Sequence, residues 1–342
     1  MPRRTVTRQA ARRTRRKRPR EGGGRPGPRS VTHAGTVRVA AVQAAPVFLD
    51  LEASVDKAID LVGRAAKRGA RLVAFGETWL PGYPAWLDLC PGAAEWNSPG
   101  ARAIHARLRA NSLVIPGPET ERLGRAARRH GVVLVIGGHE RVEGAAGHGT
   151  LYATQMIFGA DGALLSTHRK LMPTHAERLA WGQGDGGGLA AVETSCGRVG
   201  SLICWEHWMP LARQAMHQSG EAIHVAVWPT VRDMYQVASR QYAFEGRCFV
   251  LAAGLITAAR DLPRDLELPS DMKGKPDALV CAGGSCIIAP NGTIIAGPVF
   301  DREEILVADL DLATIAEESM ALDVTGHYNR PDVFQFTKRV VT

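Results

Sequence analysis

Nothing in these 342 residues approaches the roughly 18 consecutive apolar residues of a membrane-spanning helix, so a helical membrane protein is excluded and no membrane partner is expected. The amino terminus carries paired arginines but lacks the apolar core of a signal sequence, which argues against a secretory or twin-arginine leader. Cysteine is sparse: Cys90, Cys196, Cys204, Cys248, Cys281 and Cys286 stand apart, without the paired spacing of a zinc site. Scattered thiols in a long chain read as the reduced cysteines of a cytoplasmic protein and not as a disulfide framework. The eleven histidines include no His-Glu-x-x-His arrangement, and neither a metal nor another cofactor is expected. No internal repeat is visible, which removes solenoids and propellers.

What the chain has in excess is positive charge at one end. Residues 1–30 hold twelve lysines and arginines against the single acid Glu21, a net +11, so with +8 for the whole chain the remainder is −3. The body is mildly acidic and gives no general reason to bind nucleic acid. The basic segment runs into Gly22-Gly23-Gly24-Arg25-Pro26-Gly27-Pro28 and lacks the apolar residues that would offset the entropy of ordering. Residues 1–35 are therefore expected to be a disordered arm, and non-specific contact with nucleic acid is confined to it. Residues 36–342, in a chain 45% hydrophobic, are long enough to bury a sizeable core as one folded domain.

Hydrophobic periodicity organises that domain. A strand is expected over 36–44, then a helix in which Leu51, Val55, Ala58, Ile59, Val62 and Ala66 recur at helical spacing, then a strand over 71–76. Residues 118–130 read as a helix stopped by Gly131, followed by a strand over 132–136. Strands over 150–158 and 163–168 flank the turn Asp161-Gly162. Beyond 199–203 come a helix over 210–218, a strand over 222–228, a helix over 231–246 and a strand over 249–255. Strands over 283–289 and 293–296 flank Pro290-Asn291-Gly292, a last strand covers 305–310, and the polar stretch 260–277 is a loop. Strands interleaved with helices, plus hairpins, give an α/β class with a mixed sheet.

Three of these strands end on reactive groups. Val199-Gly200-Ser201-Leu202-Ile203 stops on Cys204, followed by Trp205-Glu206-His207-Trp208. Arg71-Leu72-Val73-Ala74-Phe75-Gly76 stops on Glu77, and Ala163-Leu164-Leu165-Ser166-Thr167-His168-Arg169 stops on Lys170. Taken singly, the ordinary readings are a buried small hydrophobe for the cysteine and solvated loop residues for the acid and the lysine. Together they are a nucleophile, a base and a cation. A free thiol is only a few per cent ionised at neutral pH, and an adjacent ammonium or base raises its nucleophilic fraction.

These residues resemble the nitrilase branch of the carbon-nitrogen hydrolase superfamily. The family pattern of Glu, Lys and Cys, with a second Glu after the Lys, is matched by Glu77, Lys170, Cys204 and Glu177. The flanks Gly76-Glu77-Thr78-Trp79-Leu80-Pro81-Gly82-Tyr83-Pro84, His168-Arg169-Lys170-Leu171-Met172-Pro173-Thr174, Trp181-Gly182-Gln183-Gly184-Asp185-Gly186 and Cys204-Trp205-Glu206-His207-Trp208 are similar to those of true nitrilases, and the likeness runs to Phe336. The resemblance implies a four-layer α-β-β-α sandwich, a homodimer that in some relatives extends into spirals, and hydrolysis of a small nitrile to its carboxylic acid and ammonia. It also implies that Glu77 is the base, that Cys204 is the nucleophile, and that Lys170 stabilises charge on nitrogen while Glu177 holds the lysine. Tyr83, Trp205, His207 and Trp208 are expected to shape the substrate pocket, and Glu206 to accept a hydrogen bond beside the nucleophile. Thr174, His175 and Trp181 are expected near the active site or a subunit contact, and Glu140 is a candidate further acid near Lys170, against its ordinary reading as a surface loop residue. The alternatives are an amidase, an amide-forming nitrile or cyanide hydratase, and an inactive scaffold that binds nucleic acid through the arm.

Overall fold

The computed structural model describes residues 35–339, apart from 145 and 265, so the expected disorder of the basic arm lies outside the described residues. Two sheets form the centre. The first runs in the order β13 (Glu304–Asp311), β1 (Thr36–Gln43), β2 (Leu72–Phe75), β3 (Val133–Arg141), β4 (Leu151–Phe158), β5 (Leu164–Arg169). The second runs β10 (Ile256–Ala258), β11 (Leu279–Ile288), β9 (Phe249–Ala253), β8 (Ile223–Val227), β7 (Gly197–Ile203), β6 (Val192–Thr194), with β12 (Ile294–Phe300) also paired to β11. In each, three parallel strands are extended by antiparallel neighbours: β1, β2 and β3 in one, β7, β8 and β9 in the other.

The side-chain alternation of a strand sorts the first sheet into two faces. Val39, Leu72, Ala74, Val133 and Val135 belong to one buried cluster with Leu202, Val225 and Ile287 of the second sheet. Their neighbours Ala40, Val42, Val73, Phe75, Leu134 and Ile136 pack outward with Val55, Val62, Leu123 and Ala127 of α1 (Leu51–Lys67) and α4 (Pro118–His130). On the far side, α5 (Pro210–Gln218) and α6 (Asp233–Gly246) contribute Ala212, Met216, Ala238, Tyr242 and Ala243 to the cluster of the second sheet. The result is helix, sheet, sheet, helix. Each fully buried Val, Leu or Phe contributes roughly 1.5–3 kcal/mol, which is why both faces of the parallel strands are apolar.

The helices begin and end for local reasons. Asp50 caps α1 by accepting from Ala53 N at 3.0 Å, with Glu52 in the first turn and Arg64 and Lys67 in the last, favourable to the helix dipole. Pro118 opens α4, and Gly131, at φ 62°, closes it in the left-handed conformation that glycine adopts without penalty. Three helices were not legible, α2 (Trp86–Leu89), α3 (Pro99–Ala110) and α7 (Thr314–Glu318). Only Ile104 and Leu108 of α3 are buried, too few to print a helical period on the sequence. β3 also runs past the expected strand to Arg141, which puts Glu140 inside a strand and not in a loop. All six cysteines are free and buried, and among the described residues no helix is long and apolar enough to cross a membrane.

Candidate active site

The end of β2 meets the ends of β5 and β7. Glu77 follows β2 by two residues, Lys170 directly follows β5, and Cys204 directly follows β7, so the carboxyl ends of strands from both sheets supply the groups, where crevices open in α/β folds. Each is held by its backbone: Glu77 N donates to Trp228 O at 3.3 Å, and Lys170 N to Ala153 O at 2.8 Å. Cys204 has φ 53°, a left-handed conformation that costs a non-glycine residue about 1–3 kcal/mol and lifts its side chain off the strand path.

Lys170 is the hub. Its Nζ donates to Glu77 Oε1 and to Glu177 Oε2, each at 2.6 Å, and all three side chains are buried. Glu177 is fixed further by Tyr83, whose hydroxyl donates to Oε1 at 2.7 Å, and by the backbone N–H of Thr174, which donates to Oε2 at 2.6 Å. Cys204 Sγ lies with one oxygen each of Glu77 and Glu177 in a group whose atoms are all within 4.8 Å of one another. Such a trio of ligand atoms has the chemistry of a metal site, but the ammonium already bonds both carboxylates, and a cation would have to displace it.

The charges decide the protonation states. Burial pushes the Glu77 carboxyl up and Glu177 adds to it, and against the pull of Lys170 it is raised to about 7. The Cys204 thiol is pushed well above its ordinary value by burial and by Glu77; Lys170 pulls the other way, as expected of an adjacent ammonium, but is outweighed, so the sulfur rests as a thiol. Burial works against the Lys170 ammonium, but the attraction of the Glu77 and Glu177 carboxylates outweighs it and raises the group above its ordinary value. Glu77 Oε2 is buried without a hydrogen-bond partner, an open acceptor on the carboxylate whose other oxygen bonds Lys170.

Glu206 is the clamp between strand ends. One oxygen accepts from Leu171 N and the other from Ile203 N, both at 2.7 Å, and His168 Nε2 donates to the same carboxylate at 2.9 Å. Burial disfavours its ionisation, but His168 and the two backbone N–H groups outweigh that and hold it below the usual carboxylate range. It thereby ties the residue after Lys170 to the residue before Cys204.

The other candidates separate. Tyr83 and Thr174 reach the site, Thr174 through its backbone. Trp181 also reaches it, with its ring 5.5 Å from Lys170 Nζ and its Nε1 donating to His139 Nδ1 at 2.9 Å. His139 was missed by the sequence reading. Its Nε2 faces Gly82 O at 2.9 Å, and burial lowers it to about 4, so it is a neutral prop for the Trp181 wall. Glu140 is not an acid for Lys170, because its carboxylate is taken by Arg169 and by the Thr154 hydroxyl. Trp205 is 48% exposed, Trp208 is partly buried against the core of the second sheet, and His207 stacks on Trp228 inside that core. His175 is exposed and meets Asp88 at 3.3 Å. A cavity of about 420 Å³ lined by Trp86, Trp96, Ile104, Leu108 and Leu179 holds none of the reacting atoms.

Glu206→Gln keeps the volume but removes acceptor capacity that three buried donors use. At least one donor loses its partner, and a stability loss of about 1–3 kcal/mol is expected from the denaturation midpoint. An unchanged midpoint would show that the clamp is not needed.

The carbon-nitrogen hydrolase family matches residues 38–318. The chain is 44% identical over 300 residues to an aliphatic nitrilase of Sinorhizobium fredii, covering 87% of this chain and 94% of the relative. It is 41% identical over 304 residues to a bifunctional nitrilase/nitrile hydratase of Lupinus angustifolius, covering 88% and 85%. Among solved structures, a carbon-nitrogen hydrolase from Helicobacter pylori aligns with TM-score 0.63 at 18% identity, covering 84% of this chain and 94% of that one. A nitrilase-superfamily member from Saccharomyces cerevisiae aligns with TM-score 0.63 at 20% identity, covering 86% and 97%. With two layered sheets, a buried cysteine beside a lysine and two glutamates, and relatives of this identity over most of its length, the chain belongs to the carbon-nitrogen hydrolase family, in its nitrilase branch.

Proposed function

We propose that this protein hydrolyses an organic nitrile to its carboxylic acid and ammonia, with Cys204 as nucleophile. The observation that carries this is Cys204 Sγ beside a carboxylate raised to about 7 and an ammonium bonded to two carboxylates. The names of the relatives, an aliphatic nitrilase and a bifunctional nitrilase/nitrile hydratase, support the same substrate class.

In this mechanism the thiol proton passes to Glu77 as sulfur adds to the nitrile carbon, and Glu77 hands that proton on to the nitrile nitrogen to give a thioimidate. Lys170 faces the nitrogen as its charge develops, an electrostatic contribution that in comparable acyl transfers is about 2.7–4 kcal/mol per donor. Glu77 then takes a proton from water as its oxygen adds to the same carbon. The C–N bond breaks, ammonia leaves with the protons gathered on nitrogen, and a thioester remains. A second water, activated in the same way, releases the acid and restores the thiol, for a sum of two waters consumed per nitrile. The Trp205 backbone N–H, directly after the nucleophile at the start of a helical turn, is the donor we assign to the oxyanion. Glu177 and Tyr83 keep Lys170 in place.

Ammonia release from aliphatic, aromatic and arylacetonitriles, with acid and amide both quantified, tests the reading. Turnover of at least one class is expected, abolished in Cys204→Ala. Turnover of carboxamides with no nitrile consumed would overturn it in favour of an amidase, and amide as the main product would favour the hydratase route. The acid limb of kcat/KM is a separate test. Glu77 must be ionised to accept the proton, so the rate falls as pH drops through about 7, and a limb near the ordinary 4.5 would remove Glu77 as the base.

We also assign the partner surface. Met234, Val237 and Phe244 recur along one side of α6 and are 59%, 46% and 48% exposed, beside Leu211 of α5 at 69%. An apolar stripe of this kind on a monomer marks an interface, here between copies of this chain. Light scattering is expected to give a dimer or larger assembly for the wild type and a smaller species for Leu211→Glu with Val237→Glu. A monomeric wild type would rule the surface out.

A further inference from the structure

At the carbonyl of Cys204 begins a second buried polar set that the mechanism above does not use. The Cys204 carbonyl is met by His207 Nδ1 at 2.7 Å, His207 Nε2 lies 3.0 Å from His224 Nε2, and His224 Nδ1 lies 2.6 Å from Glu221 Oε1. The Tyr242 hydroxyl donates to Glu221 Oε2. His207, His224, Glu221 and Tyr242 are all buried.

Counting protons fixes the state of this set. A carbonyl oxygen only accepts, so His207 Nδ1 carries a hydrogen. The contact between the two Nε2 atoms needs one proton between them, because two lone pairs at 3.0 Å repel. The contact between His224 Nδ1 and Glu221 Oε1 needs another. Two neutral imidazoles and an ionised carboxylate supply only two protons for these three contacts. The set therefore holds one more, and with Glu221 negative it is neutral as a whole. Tyr242 donates to Oε2 of Glu221, so the additional proton lies in the contact between His224 Nδ1 and Glu221 Oε1. Burial and His224 lower His207 well below its ordinary value, so His207 is the neutral ring. Burial disfavours a charged Glu221, but His224 outweighs it and keeps the carboxyl ionised.

The surroundings are shaped for this chain of bonds. Gly200 of β7 pairs in register with His224 of β8, and a Cβ at Gly200 would lie 1.9 Å from Glu221 Oε1, so only glycine leaves room for the carboxylate. The His207 ring stacks on Trp228 at 4.8 Å, and the Trp228 carbonyl is the acceptor for Glu77 N–H. The other titratable neighbours are Arg213, which donates to the His207 carbonyl at 3.0 Å and pairs with Glu245, His217, whose ring sits 4.6 Å from Tyr242, and the Cys248 thiol near Glu221 and Tyr242.

We propose that Glu221, His224 and His207 are positioning residues for the nucleophile: the proton they share makes His207 a donor to the Cys204 carbonyl and so holds Cys204 in the left-handed conformation that aims its sulfur at Glu77. This rests on Cys204 being the nucleophile. The left-handed conformation is unfavourable by itself, and a hydrogen bond to its carbonyl is a direct way to retain it.

Two variants and one spectrum test the relay. In His207→Phe the ring remains but the donor is gone. In His207→Asn the side-chain amide keeps an N–H for the same carbonyl. The rate at which iodoacetamide alkylates Cys204, followed by mass spectrometry of its peptide, and kcat on a nitrile substrate are both expected to fall about tenfold or more in the Phe variant, with little change in KM, and to recover in the Asn variant. Equal rates in the two variants would overturn the proposal. Should His207→Phe not fold, the ¹⁵N imidazole spectrum of the wild type at pH 7 decides. One doubly protonated histidine coupled across nitrogen to a singly protonated partner is expected, and a spectrum in which every buried imidazole is singly protonated would overturn the relay. Failure of the nitrilase reading is distinguishable, because Cys204 would then be alkylated normally in a wild type that consumes no nitrile.

Discussion

Everything at the active site depends on one buried ammonium. Lys170 Nζ bonds Glu77 and Glu177 in a niche closed to water, so two negative charges are balanced by a single positive one. That imbalance, added to burial, is what raises Glu77 to about 7 and leaves Cys204 as a thiol. Without the lysine, two buried carboxylates would repel and one would take up a proton. The catalytic chemistry follows from the count of charges as much as from their identity.

Holding that count requires exact placement of groups from three strands in two sheets, and backbone contacts do most of the placing. Glu206 spans Leu171 and Ile203, so the lysine and the cysteine share an anchor through one carboxylate. Trp228 O receives Glu77 N–H, and the same residue's ring carries His207, which bonds the Cys204 carbonyl. Thr78, His175 and Cys204 all have positive φ, each at or next to a strand or turn that delivers a functional group. Non-glycine residues are held there only where surrounding bonds over-determine the backbone.

Much of this was legible from the chain. The strands ending at Glu77, Lys170 and Cys204 were readable because each is a short apolar run that stops abruptly on a polar group, and α4 and α5 were readable from Pro and Gly punctuation. The helices α2, α3 and α7 were not, because they bury too few residues to leave a period. Glu140 was misplaced for a related reason: β3 continues through two glycines, Gly137 and Gly138, where an apolar pattern fades although the backbone pairing with β4 does not. His139 gave no signal at all, since a histidine in a strand looks the same whether it faces solvent or props a tryptophan.

Which chemical groups are present, and that they stand at strand ends, could be read along the chain, because apolar runs and their stops are local properties. Their ionisation and their partners arise only on folding. Whether Trp205, His207 and Glu206 face substrate, core or backbone depends on the left-handed turn at Cys204, and whether a thiol, an ammonium and two carboxylates titrate separately or as one set depends on their mutual distance and exclusion from water. Those are properties of a folded interior, where residues far apart in the chain share one small volume of low dielectric.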